Sequence, residues 1–298
     1  RQDSYFYPIS TMTIRITAYE DWMKPQVAEM FSLQYNVPAS EFATLMDNFY
    51  DHPYQKEKCI RIAAVEGEKV IGFQSFFYWP YNLGGKLYRS FQSGNSLVHP
   101  NYRGKGIFQQ LLNFIGEHRE KLGIDFLIGF PIHASRNSLI RNGWKNILDL
   151  EWHILSASPL RSLFGDEKKK LARVFNDKPS VSIREDASEW LRLSGEIVFW
   201  EWRKCYSATQ TYFYHVYTEN GKSVEFTLKP SRRKKHIREL IIGNVRTENN
   251  DRTFMQKAFR DLLASVKRSG AAAFLSFAYN PHASAISNTL LSQVGFKK

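Results

Sequence analysis

Cysteine is almost missing: Cys59 and Cys205 are the only two in 298 residues, too few for a disulfide framework and too isolated for a cysteine metal site. No run of 18 apolar residues occurs, so the sequence offers no membrane-spanning helix. Nothing after Arg1 has the charged start and apolar stretch of a secretory signal, and a reducing, cytoplasmic setting is the expectation. Acidic residues are also short, with 29 Asp and Glu against 41 Lys and Arg, which leaves a formal charge of +12. That excess suits a polyanionic partner but does not rank nucleic acid, an anionic membrane surface and a phosphate-rich small molecule. Aromatic residues, by contrast, make up 15% of the chain and hydrophobic residues 43%. A disordered chain is thereby excluded, and the length allows two compact units.

Alternation in Thr13 to Ala18 reads as a strand, with Asp21 as the cap of a following helix that carries Val27, Met30 and Phe31. A second helix is expected from Ser40, as its cap, to Tyr50. Strands at 61–65, 70–78 and 87–98 are separated by the turn sequences Glu66-Gly67-Glu68-Lys69 and Asn82-Leu83-Gly84-Gly85, which predicts an antiparallel meander. Ile107, Phe108, Leu111, Leu112 and Ile115 form one helical stripe closed by Gly123. A buried strand at 124–130, a helix carrying Leu139 and Ile140, and a strand at 151–155 follow. The polar stretch 156–180 reads as a linker. Beyond it come a helix at 190–206, strands at 211–217, 224–228 and 240–244, a helix at 254–266 and a strand at 272–279.

Two stretches resemble each other. Gly123 to Leu127, His133-Ala134-Ser135 and Gly143-Trp144-Lys145 are echoed by Gly270 to Leu275, His282-Ala283-Ser284 and Gly295-Phe296-Lys297, which predicts a shared strand and helix order in the two halves.

The segment with chemistry in it is Ser96-Leu97-Val98-His99-Pro100-Asn101-Tyr102-Arg103-Gly104-Lys105-Gly106-Ile107-Phe108. It joins a predicted strand directly to a predicted helix. A helix start presents unpaired backbone N–H groups and partial positive charge, and glycines let a phosphate approach them. Arg103 and Lys105 add full charges at the same point, so the construction suits a pyrophosphate. It is not a P-loop, because Gly106 is followed by Ile107 where Lys is required. It is not a dinucleotide fingerprint either, since the third glycine is missing and the preceding strands form a meander.

At Val98, Pro100, Tyr102, Arg103, Gly104, Lys105, Gly106 and Ile107 the sequence resembles the acetyl-CoA signature of the GNAT N-acetyltransferase superfamily, Val-x-Pro-x-Tyr-Arg-Gly-x-Gly-Ile-Gly. Gly143-Trp144 stands where the family has Gly-Phe, and Phe108 departs from the family's usual small residue. The resemblance implies an α/β fold with a mixed α+β sheet, as two GNAT-like domains in tandem: a catalytic domain over 12–158, a linker over 159–180 and a degenerate copy over 181–298 without the CoA loop. It implies acetyl-CoA as donor substrate, held by Leu97, Val98, Arg103, Gly104, Lys105, Gly106, Ile107 and Phe108, with direct attack by an acceptor amine in a ternary complex and no metal. The family's proton-donating Tyr falls at Leu139, so that donor is absent. His133 is the substitute by location. Glu41 and Asp47 lie on the helix that borders the acceptor cleft in this family, and Glu41 is taken with His133 as a catalytic candidate.

The partners expected are a small-molecule amine and, as an option, a second copy in a homodimer. Nucleic acid is not expected, for no recognition motif occurs and the cations are scattered. Two alternatives stand beside N-acetyl transfer: an aminoacyl transferase of the paired-GNAT type, disfavoured by the Arg-Gly-Lys-Gly loop, and a non-catalytic CoA-binding protein. The aromatic cluster from Phe199 to Tyr217 reads as core before ligand wall. The densest basic run, Arg232 to Lys235, is expected at a hairpin tip in solvent.

Overall fold

The computed structural model describes residues 13–179, 191–194, 196–207, 210–247, 251–279 and 286–298. The chain divides into two compact units, 1–145 with 191–206, and 146–190 with 207–298.

In the first unit, β1 (Ile14–Ala18), β2 (Ile60–Glu66), β3 (Lys69–Tyr78), β6 (Ser90–Val98) and β7 (Phe126–Gly129) form one sheet in that order. A small second sheet joins β4 (Tyr81–Leu83), β5 (Lys86–Tyr88) and β9 (Arg192–Leu193). The first four strands of the main sheet are antiparallel, as expected for β2, β3 and β6, although the turn at Asn82–Gly85 closes the β4–β5 hairpin of the small sheet, and β7 lies parallel to β6. That reversal requires a crossover, which α3 (Ile107–His118) supplies.

Strand alternation sends Ala63, Val65, Phe73 and Phe77 to one face and Ile62, Ala64 and Phe76 to the other. The first face is covered by α1 (Lys24–Tyr35), α2 (Ala39–Leu45) and α7 (Ile197–Lys204), through Val27, Phe31, Phe42, Phe199 and Trp202. The second is covered by α3 and α4 (His133–Arg141), through Ile107, Leu111, Leu112, Ile115 and Leu139. Gly72 lets α3 lie this close, since a Cβ there would sit 2.9 Å from Ile107 Cγ2.

In the second unit the sheet order is β10 (Phe213–Glu219), β11 (Lys222–Arg233), β12 (Ile237–Thr247), β13 (Phe274–Tyr279) and β8 (Glu151–Ser156). Two antiparallel pairings and then a parallel one, crossed by α8 (Arg252–Ser269), repeat the order β2-β3-β6-β7 with α3. β8 closes the edge antiparallel to β13. The repeat also holds at the ends of α4 and α9 (Asn288–Val294). Gly143 (φ 81°) and Gly295 (φ 107°) take left-handed conformations. Trp144 N–H then donates to Leu139 O at 3.2 Å and Phe296 N–H to Leu291 O at 2.9 Å, the Schellman closure that the repeated Gly-aromatic pair encodes. His282-Ala283-Ser284 lie outside the described residues.

Several sequence expectations are corrected. The boundary at 158 falls instead after 145, because β8 pairs with β13. The linker over 159–180 contains α5 (Pro159–Ser162) and α6 (Glu167–Ala172), which place Leu171 in the second core. Residues 191–206 are not part of the second domain, since Phe199 and Trp202 fill the first core and Trp202 Nε1 donates to Phe49 O at 2.8 Å. The helix expected over 190–206 spans only 197–204. Asp21 sits inside a 3-10 turn and not at a cap, and α2 begins at Ala39 with Pro38 before it, which leaves Ser40 inside the helix. Met46–Tyr50 continues α2 as one wide π turn.

Candidate active site

The parallel pairing of β6 with β7 runs only from Ser90 with Phe126 to Ser93 with Gly129. From Gly94 to Val98, β6 has no partner in β7 and presents a free backbone edge. The same stretch is bulged against β3: Phe73 pairs with Leu97 but Ser75 with Gly94, so β6 holds one extra residue, and Asn95 takes φ 45°. Gly94 permits the bend, because a Cβ there would lie 2.6 Å from Phe77 Cε2.

Beyond Val98 the chain makes a turn of 3-10 helix at Pro100–Tyr102 and enters α3 through Arg103 to Gly106. Gly104 and Gly106 hold φ 77° and 72°, and a Cβ on either would meet no atom within 4 Å. The space above both glycines is therefore open. Gly106 is the cap of α3 and contributes no side-chain hydrogen bond. The first intrahelical bond is Gln110 N–H to Gly106 O, 3.0 Å, so the amides of the preceding turn have no intrahelical acceptor.

Arg103 is exposed and anchored, its Nε donating to Val98 O at 3.2 Å and its Nη2 to Gln34 Oε1. Lys105 Nζ lies 4.9 Å from the centre of the Tyr102 ring, and Tyr102 in turn donates to Glu66 Oε2 at 2.6 Å. Leu97 and Ile107 point into the two cores, so only their backbone is available to a ligand. Val98 and Phe108 are half-buried.

The remaining candidates are not brought together. Glu41 is exposed on α2 and His133 exposed at the first residue of α4, helices on opposite faces of the sheet. Asp47 is committed to an ion pair with Lys24. Leu139, in the position of the family's tyrosine, is a core residue of the α3 face. Burial pushes the Cys59 thiol up to about 12, which leaves no thiolate nucleophile there.

A polar group that the sequence reading passed over lies at the bulge. Tyr50, fully buried, has its hydroxyl 3.1 Å from Ser75 Oγ and accepts from Asn95 Nδ2 at 2.5 Å. Ser75 donates to Gly94 O at 2.7 Å. A carbonyl can only accept, so the one Ser75 proton is spent there, the Tyr50 proton goes to Ser75, and Asn95 must turn its NH2 toward Tyr50. Burial raises the Tyr50 phenol well above its ordinary range, which keeps that donor protonated. On the opposite face, buried Gln74 donates to Ser93 Oγ and Gly94 O at 3.2 Å each and accepts from Ser96. The signal was available in the polar run Gln92-Ser93-Gly94-Asn95-Ser96 inside a strand otherwise suited to a core.

The second unit offers an internal comparison. β12 also outruns its parallel pairing, which ends at Ile242 with Phe277, and carries one extra residue between Ile242 and Asn244. Its crossover helix, however, is capped from within: Asp251 Oδ1 accepts from Phe254 N–H at 2.8 Å. A carboxylate already satisfies the helix start that α3 leaves bare.

A mixed sheet with an unpaired strand edge and a glycine-bordered, uncapped helix start is the arrangement that the resemblance of the loop sequence implies. The family model described as acetyltransferase (GNAT) domain matches residues 14–145, a stretch that lies within the first unit. Solved structures share the fold across both units. A conserved protein of unknown function from Enterococcus faecalis, described as a probable N-acyltransferase, aligns over 96% of this chain and 70% of its own at 13% identity and a TM-score of 0.60. A GCN5-related N-acetyltransferase from Anabaena variabilis aligns over 94% and 68% at 12% identity and TM-score 0.60. A third, from Kribbella flavida, aligns over 91% and 66% at 15% identity and TM-score 0.55. The chain thus spans about two thirds of these proteins. No curated protein sequence matches it significantly.

Proposed function

We propose that the first unit transfers an acetyl group from acetyl-CoA to a primary amine. The observation that carries this reading is the bare start of α3, where two left-handed glycines leave open space above unpaired amides next to the free edge of β6. The residues fit the donor: the amides from Gly104 to Phe108 with Arg103 and Lys105 would hold its pyrophosphate, and the edge from Asn95 to Val98 would pair with its amide-bearing arm. The donor supplies an acyl group already activated as a thioester.

This chain's own residues have three tasks. A backbone N–H of the bulged edge stabilises negative charge on the acyl oxygen during attack. The acceptor, protonated at neutral pH when it is an alkylamine, must lose a proton, and exposed His133 is the base proposed to take it. Glu41 draws a cationic acceptor toward the cleft. With Leu139 in the core, no tyrosine at that position returns a proton to the leaving thiolate, and solvent does so.

Titration calorimetry with acetyl-CoA, followed by a thiol-release assay over glucosamine, spermidine and dipeptide amides, tests the reading. Micromolar binding with turnover on one of these amines is expected, and absence of binding would sink it. The buried Leu139 also favours a second reading, a protein that retains CoA as a ligand without catalysis. Tight binding with no turnover on any amine would select it.

A further inference from the structure

The basic run Arg232 to Lys235 and the segment 159–170 meet in the second unit, and together they form a surface that the acetyl-transfer reading leaves unused. Leu160, Leu163 and Phe164 are 77%, 67% and 72% exposed within five residues of chain. Large apolar side chains scattered singly need no explanation, but three on one tip do.

The tip is held firmly. Lys170 Nζ donates to Arg161 O and Phe164 O at 2.7 Å and to Gly270 O at 3.0 Å. Arg238 donates to Phe164 O at 3.2 Å and to Gly165 O at 2.7 Å. Arg161 reaches Lys267 O and Arg268 O at 3.2 and 3.3 Å. With its carbonyls satisfied from below, the turn presents its apolar side chains to solvent.

Around the tip positive charge is in excess. Glu167 is paired with Arg232 at 2.7 Å, Glu239 with Arg233 at 2.6 Å, and Asp166 caps α6 through Lys169 N–H. Lys168, Lys234, Lys235 and Lys267 are exposed and form no ion pair among the described residues. Lys234 and Lys235 also hold φ 49° and 64° at the hairpin between β11 and β12, where glycine or asparagine would sit at lower conformational cost. Charge is kept at that tip in spite of the backbone.

We propose that this surface docks the protein on an anionic lipid bilayer, with Leu160, Leu163 and Phe164 entering the headgroup boundary and the surrounding lysines meeting lipid phosphates. A soluble polyanion would use the cations but leave the apolar triad in water, whereas a bilayer offers both surfaces at one place.

Sedimentation of the full chain with phosphatidylcholine vesicles, with and without 30% phosphatidylglycerol, tests this. Binding to the anionic vesicles alone is expected. Leu163→Ser with Phe164→Ser should weaken it at least ten-fold, and Lys234→Ser with Lys235→Ser several-fold, each with an unchanged thermal midpoint and unchanged acetyl-CoA binding. Absence of vesicle binding, or binding that the Leu163/Phe164 variant retains in full, would overturn the proposal. So would a wild-type dimer in size-exclusion chromatography that the same variant converts to monomer, since a second copy would then occupy the tip.

Discussion

Asn95 Nδ2 donates to the hydroxyl of Tyr50 at 2.5 Å, and this bond fixes which way the asparagine faces. The chain of donors runs one way, from Asn95 to Tyr50 to Ser75 to Gly94 O, so a change at its buried middle is felt at both ends. Tyr50→Phe leaves Ser75 and Asn95 each short of a partner. We expect a loss of about 1–3 kcal/mol in urea denaturation, with acetyl-CoA affinity within two-fold of wild type. Full stability in the variant would show that water replaces the phenol.

Asn95 stands half-buried at the bulge, beside the edge that the donor would pair with. Asn95→Ala should raise the KM for whichever amine turns over by roughly ten-fold, the effect of one lost hydrogen bond to a partly charged group, while calorimetry finds acetyl-CoA binding intact. An unchanged KM would mean that the amine is held elsewhere.

Gly106→Ala separates the helix start from its neighbours. Its Cβ meets nothing within 4 Å, but φ 72° is unfavourable for alanine by about 1–2 kcal/mol. Chemical denaturation should report a loss of that size. Acetyl-CoA affinity should fall further, by at least ten-fold, because the methyl group stands over the amides that phosphate would approach.

Asp251→Ala makes the opposite comparison at α8. Removing the cap should cost about 1 kcal/mol of stability, and acetyl-CoA binding should not change. A second molar equivalent of acetyl-CoA bound by the variant would reveal a latent site that the carboxylate had occupied.

His215 Nε2 donates to Asp261 Oδ2 at 2.8 Å in the second unit, and burial lowers its pKa despite that partner. A histidine whose pKa is lower folded than unfolded binds protons preferentially in the unfolded state. Its contribution to stability is therefore full above the unfolded value of about 6.5 and declines as pH falls through 6.5 toward the folded value. His215→Gln should flatten the stability profile between pH 7 and pH 5, measured as the denaturation midpoint. An unaltered profile would assign the acid sensitivity to other groups.

The meander, the crossover helices and the two Gly-aromatic caps were legible in the sequence because each follows from local chemistry. Glu66-Gly67-Glu68-Lys69 sets a hairpin register, Ile107, Leu111 and Ile115 define a helical face, and Gly143 and Gly295 end helices that nothing else could end so sharply. The glycine turn into α3 was legible for the same reason, as Gly104 and Gly106 act through their own backbone angles.

What tertiary structure decided is what depends on partners distant in the chain. The unit boundary could not be read, since the pairing of β8 with β13 and the packing of Trp202 on Phe49 are contacts across more than 100 residues. Asn95 looked like an irregularity in a strand until Tyr50 and Ser75 were brought to it. Sequence alone thus determined the glycine-bordered helix start, whose form lies in the backbone angles of consecutive residues. The polar face opposite that loop belongs to three separate elements and exists only once the sheet and α2 have closed on one another.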